Sequence, residues 1–159
     1  LFIEHTSIEL NYMNEKTKIL YLCTGNSCRS QMAEGITRAL KGDIYEVYSA
    51  GIETHGVNPN AIKVMKEIDI DISTHKSENI ADFKDIDIEL VVTVCGHAAE
   101  TCPIFPSKAT VKHFGFEDPP KMAKELAAQG ADEEEQLDCY RKVRDEIVKF
   151  VETLPGFFK

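Results

Sequence analysis

Cys23 and Arg29 enclose Thr24-Gly25-Asn26-Ser27-Cys28 and are followed by Ser30, giving a Cys-x5-Arg-Ser stretch whose residue types suit nucleophilic attack on a tetrahedral oxyanion. A glycine-containing loop that opens a helix turns successive backbone N–H groups toward one point, and the helix dipole adds positive potential there. Arg29 supplies a planar, bidentate fork for oxygens. Cys23, at the start of the loop, is then placed where donors and a guanidinium favour thiolate over thiol, which makes it a candidate nucleophile. Taken alone, a strand-end cysteine is more often a buried thiol and an arginine a surface charge. It is the complete spacing, between a strand and a helix, that favours chemistry.

The elements on either side supply that context. Lys18-Ile-Leu-Tyr-Leu22 has the pattern of a buried strand, and Met32, Ala33, Ile36, Ala39 and Leu40 recur at helical spacing, predicting a helix from about Ser30 to Lys41. Tyr45-Glu-Val-Tyr-Ser49 alternates as a second strand. Asn58-Pro59 opens a helix with Ala61, Ile62, Met65 and Ile68 as its apolar stripe. Residues 71–87 read as loops, with one helical turn anchored by Ile80, Ala81 and Phe83. Ile88-Glu-Leu-Val-Val-Thr-Val94, rich in β-branched residues, predicts a central strand covered on both faces. Thr110–Phe114 reads as the last strand, Gly115–Pro120 as a loop, and Glu133–Leu154 as a covering helix with Leu137, Tyr140, Val143, Ile147, Val151 and Leu154 inward. Alternating strands and helices predict a small three-layer α/β fold with right-handed crossovers.

Cys95 closes the central strand, so it shares with Cys23 the carboxyl end of a parallel sheet, where sites form in open α/β folds. Cys102 follows seven residues later. In a helix that spacing separates the two by about 10 Å along the axis at 1.5 Å per residue. A disulfide needs Cα atoms within roughly 7 Å, so bridging them requires the segment to loop out, as a redox switch would; two structural thiols are the plainer alternative. Zinc held by Cys95, His97, Cys102 and His113 is disfavoured, because the spacing departs from that of structural zinc sites. Cys28, inside the loop, and Cys139, beside the terminal helix stripe, read as structural. Asp118, in Phe-Glu-Asp-Pro-Pro120, is a carboxylate on a stiffened loop after a strand and a candidate general acid.

The chain has 159 residues, enough for one domain with a real core. Residues 13–159 read as that domain and 1–12 as an N-terminal extension, because Met13-Asn-Glu-Lys-Thr-Lys18 leads directly into the first strand. No apolar run approaches the roughly 18–20 residues of a membrane span, and the N-terminus lacks the order of a secretory signal, so a cytoplasmic location is expected. In that reducing compartment, five cysteines point to catalytic, redox or metal roles rather than a disulfide framework. A net charge of −9 argues against nucleic acid or an anionic membrane as partner, and it requires any anion site to supply its own local attraction.

Five stretches together resemble the thioredoxin-coupled arsenate reductases, built on the low-molecular-weight protein tyrosine phosphatase fold: Cys23–Gly35, Ser49–Pro59, Val91–Cys95 with Cys102-Pro103, Phe114–Pro119, and Arg141–Glu146. Any phosphatase of this fold supplies the first loop and an Asp-Pro. The Cys95/Cys102 pair and Gln31 resemble the reductase branch. The resemblance implies a four-stranded parallel sheet, arsenate as substrate in arsenic detoxification, thioredoxin as electron donor, a monomer and no tightly bound cofactor. It further implies a relay in which Cys23 attacks arsenate, Asp118 protonates the leaving oxygen, Arg29 and residues 24–28 hold the others, and Ser30 stabilises the thiolate. Cys95 then attacks Cys23 and Cys102 attacks Cys95. Some members bind potassium through residues matching Asn26, Glu34 and Ser49 plus a Thr-Ser-Asp stretch. Here that stretch reads Lys76-Ser77-Glu78, and the lysine argues against the cation. The alternatives are a phosphatase working through a cysteinyl-phosphate, with which a reductase would share some activity, and a non-enzymatic arsenite- or metal-binding thiol protein.

Overall fold

A computed structural model describes residues 15–96 and 109–159. Four parallel strands, β1 (Thr17–Cys23), β2 (Tyr45–Gly51), β3 (Leu90–Thr93) and β4 (Thr110–His113), form one sheet in the order β2-β1-β3-β4. The helices among the described residues are α1 (Arg29–Lys41), α2 (Pro59–Lys66), α3 (Pro119–Ala128) and α4 (Glu133–Glu152). The α/β expectation, with its four-stranded parallel sheet, is borne out. So is the central place of the apolar strand: Val91, Val92, Thr93 and Val94 are buried, and β3 lies between β1 and β4.

β1 is buried from Ile19 to Cys23 because both of its neighbours are strands and α1 packs against it. In α1 the predicted face is inward at Met32, Ala33 and Ile36, joined by Gly35 and Thr37, but Ala39 and Leu40 are exposed. The last turn has run past the sheet, so nothing remains there to cover. In α2 the stripe is Ala61, Val64 and Met65, with Ile62 half-buried; Ile68, expected in the stripe, lies beyond the helix end and is half-buried there. Asn58 caps this helix as expected, accepting from Asn60 N at 2.8 Å and Ala61 N at 3.3 Å. Pro59 opens its first turn without loss of a helical hydrogen bond.

α3 begins at Pro119 within residues read as loop and continues through a stretch given no structure from the sequence. Its signal was the Asp118-Pro-Pro start followed by Met122, Ala123 and Leu126, a stripe too short to outweigh the prolines. Ala123 is buried, while Met122 and Leu126 are half-buried, as α3 packs on α4. The single turn predicted near Phe83 is a 3-10 turn, Ile80–Phe83, with Phe83 buried. Cys139, placed beside the stripe from sequence, is buried against α3, and burial pushes its thiol up from its ordinary value. Residues 1–12, His97 and Cys102 lie outside the described residues. No described helix is long and apolar enough to cross a membrane.

α4 is tied to the end of α2 by a charged cluster. Arg144, almost wholly buried, donates from Nη1 to Val64 O and to Glu67 Oε1, each at 2.8 Å. Arg141 holds the same carboxylate, from Nη2 to Oε2 at 2.9 Å. The hydrogen bond from Arg141, helped by that from Arg144, keeps the Glu67 carboxyl below its ordinary value. A lowered carboxyl stabilises the fold above the ordinary carboxylate range, and that contribution is lost as pH falls through the lowered value. Arg144→Ala is expected to lower the unfolding free energy by about 2–3 kcal/mol in urea titrations, because a buried carbonyl loses its donor. Glu67→Gln should flatten the acid limb of the stability profile, measured by urea unfolding at neutral pH and again below the carboxylate range.

Candidate active site

The β1–β3 register sets Leu22 opposite Thr93, and the β1–β2 register sets Cys23 opposite Gly51, so three chain segments reach one end of the sheet together. The loop after β1 then runs through Thr24–Cys28 into α1. Its shape depends on Asn26, a fully buried residue in the left-handed region at φ 47°. Asparagine tolerates that region because its short amide can bond locally. From Nδ2, Asn26 donates to Ser30 Oγ and to Ser49 Oγ, each at 2.9 Å. Its Oδ1 accepts from Gln31 Nε2 at 3.0 Å and Glu78 N at 2.8 Å, and its carbonyl accepts from Ser77 Oγ at 2.6 Å. Gly51 must be a glycine here, since a Cβ would come within 2.7 Å of Asn26 N.

Cys23 Sγ, almost fully buried, lies 2.8 Å from Ser30 Oγ. Because Ser30 Oγ already accepts from Asn26, its own proton is left to donate to the sulfur. The chain Asn26 to Ser30 to Cys23 can therefore direct a hydrogen bond at the candidate nucleophile. Cys28, next in the loop, is buried; that burial, and after it the charge of Cys23, pushes its thiol strongly up. It stays protonated and packs, as read from sequence. Cys28 also offers α1 no side-chain cap, which leaves the helix start open toward an anion.

The third segment comes from β4. Phe116 N donates to Val94 O at 3.1 Å, drawing residues 114–118 across the end of β3. Arg29 spans from the loop to this segment, donating from Nη1 to Phe116 O at 3.0 Å, with Nη2 3.8 Å from Asp118 Oδ2. Asp118 sits at the N-cap position of α3 but makes no capping bond. Its carboxylate is thereby left for the site. A cavity of about 360 Å³ opens between these parts, lined by Cys23, Thr24, Gly25, Arg29, His55 and Asp118 among others. Cys95, buried just beyond β3, touches the loop, its Sγ 3.3 Å from Thr24 Oγ1. Five of the six catalytic candidates, Cys23, Arg29, Ser30, Cys95 and Asp118, thus converge. The sixth, Cys102, lies outside the described residues.

Behind the loop, Glu34 has a different setting from the one expected. Its Oε1 accepts from Ser49 Oγ at 3.2 Å, and its Oε2 lies 2.8 Å from His75 Nδ1 and 3.5 Å from Arg38 Nη1. His75 Nδ1 is also 2.9 Å from Gln31 Oε1. Lys76 is exposed and contributes its carbonyl, which accepts from Gln31 Nε2 at 3.0 Å. The oxygens that would ligate a monovalent cation at Asn26, Glu34 and Ser49 are engaged with protein hydrogen-bond donors, so the residues present do not fit the ion. His75 gave no signal in the sequence, since it falls in a polar loop and meets its partners only in space. His55, over the loop, was missed for the same reason.

The low molecular weight phosphotyrosine protein phosphatase family model matches residues 18–155. The chain is 55% identical to an arsenate reductase of Halalkalibacterium halodurans, covering 89% of this chain and 96% of that one. It is 52% identical to an arsenate reductase of Bacillus subtilis, covering 83% and 91%. A solved arsenate reductase in a phosphate-binding state superposes with a TM-score of 0.71 at 31% identity, over 90% of this chain and 99% of that one. A low molecular weight protein tyrosine phosphatase from T. tengcongensis gives 0.68 at 27% identity, over 89% and 99%. A match along nearly the whole described sheet and its loop, with relatives at about half identity, means that this chain belongs to the low molecular weight phosphotyrosine protein phosphatase family.

Proposed function

We propose that this protein reduces arsenate to arsenite through a three-cysteine relay regenerated by thioredoxin, in the reducing cytoplasm. The observation that carries the reading is the position of Cys95, whose sulfur touches Thr24 of the oxyanion loop. A phosphatase needs one reactive thiol at this loop; with Cys28 a buried packing thiol, Cys95 supplies the further one that a reductase requires.

In the first step, Cys23 thiolate attacks arsenic(V), Asp118 gives its proton to the departing oxygen, which leaves as water, and a Cys23–arsenate thioester forms. The loop amides and Arg29 hold the remaining oxygens as charge shifts onto them. Cys95 thiolate then attacks Cys23 Sγ. The sulfur–arsenic bond breaks with its electron pair going to arsenic, arsenite leaves as arsenic(III), and a Cys23–Cys95 disulfide remains. Cys102 thiolate next displaces Cys23 from Cys95, restoring Cys23 and leaving a Cys95–Cys102 disulfide for thioredoxin's dithiol to reduce. Thr24, within hydrogen-bond reach of Cys95, orients the second thiol for its attack.

A phosphatase reading is supported by the completeness of Cys23, Arg29 and Asp118 without any other cysteine, and weak phosphatase activity is expected alongside reduction. Cys102→Ser should abolish arsenate-dependent NADPH oxidation coupled to thioredoxin and its reductase, while hydrolysis of an aryl phosphate persists. Equal coupled turnover in both proteins would reject the relay. Arg29→Ala should abolish both activities but leave thiol-dependent arsenite binding nearly intact, so binding without any wild-type turnover would instead identify a thiol binder. Ser30→Ala is expected to slow iodoacetamide labelling of Cys23 at neutral pH by about tenfold, since a hydrogen bond to a charged group contributes roughly 1.5–3 kcal/mol. With Glu34 engaged by His75, Arg38 and Ser49, turnover should be the same in potassium and sodium at equal ionic strength. Several-fold activation by potassium would overturn that expectation.

A further inference from the structure

The strand order places the segment after β2 and the segment after β4 on opposite sides of the oxyanion loop. Asp118 and Pro120 line one side of the cavity, and His55 and Asn58 the other. Residues 52–58 are laid along the loop by backbone bonds: Ile52 N to Cys23 O, Glu53 N to Thr24 O, His55 N to Gly25 O and Asn58 N to Ser27 O, all between 2.8 and 3.2 Å. The His55 ring lies directly over Gly25, where an added Cβ would meet its Cγ at 2.8 Å. Glu53 Oε2, 2.8 Å from His55 Nε2, holds the ring in that place.

An ester differs from an inorganic oxyanion by a substituent on one oxygen. In an in-line displacement at Cys23 that oxygen is the one facing away from the sulfur, toward Asp118. Its substituent has to pass between Asp118 and Pro120 on one side and His55 on the other. On its own side of the passage His55 is the bulkiest lining side chain, and its ring takes up room that an aryl substituent would need. We infer that His55 is a specificity-determining residue that favours bare inorganic tetrahedral oxyanions over their aryl esters, with Glu53 as its positioning residue. This rests on the oxyanion reading of the Cys23 pocket and adds the feature that selects its substrate class.

The test compares kcat/KM for para-nitrophenyl phosphate with the inverse inhibition constant of inorganic phosphate in the same assay. In His55→Ala the ratio of the two should rise about tenfold, the scale of one lost contact in a binding pocket. Glu53→Gln, which keeps the backbone bond to Thr24, should shift the ratio in the same direction by a smaller factor. An unchanged ratio in both variants overturns the proposal, as does aryl phosphate turnover undetectable in wild type and both variants. Should His55→Ala lose both measures together through collapse of the loop, Glu53→Gln decides alone. Neither arm uses arsenate or thioredoxin, so failure of the relay and failure of this proposal are separately visible.

Discussion

The site depends on the satisfaction of one buried amide. Asn26 sits in a backbone region that few residues adopt, fully buried, with its side-chain amide and its carbonyl oxygen bonded to several parts of the chain. Ser30 is on α1, Ser49 on β2, and Ser77 and Glu78 come from the long connection before β3. A buried donor or acceptor without a partner costs about 1–3 kcal/mol, so these segments are held to one arrangement by the loop as firmly as the loop is held by them. Preorganisation of the anion hollow and support of the sheet end are therefore the same interaction.

That coupling is also what lets an acidic protein carry the proposed anion site. The net charge of −9 acts over the whole surface, where solvent and salt screen it. Inside the hollow the relevant charges are few and fixed: Arg29, anchored by the Phe116 carbonyl, the open start of α1, and the carboxylate of Asp118 at the far edge. Arg29 has two tasks in this arrangement. It faces the hollow, and through Phe116 it locates the segment that carries Asp118, so the candidate fork and the candidate acid are positioned together.

On the proposed relay one loop would serve both hydrolysis and reduction, the difference between them lying in what else reaches it. In a parallel sheet all strands end on the same side, so a cysteine at the end of β3 arrives beside one at the end of β1 as a consequence of topology. Thr24 then provides the contact between the two. A thiol-based second step could be added to this fold by changing a strand-end residue, with the oxyanion hollow left as it was.

The sequence by itself determined most of the elements and singled out the candidate reactive residues, because both are local. The period of Met32, Ala33 and Ile36, the β-branched run into Val94, the Asn58-Pro59 cap and the Cys-x5-Arg-Ser spacing are each complete within a few residues. α3 escaped because its apolar stripe is short and begins at two prolines. What only the tertiary structure decided are the pairings between distant segments: Glu34 facing His75 and Arg38 while Lys76 stays exposed, Arg29 reaching Phe116, His55 lying over Gly25, and Arg144 buried on Glu67. The physical reason is that hydrogen bonds and ion pairs are satisfied in space, where sheet register and crossover set the neighbours, and neither leaves a periodic mark on the chain.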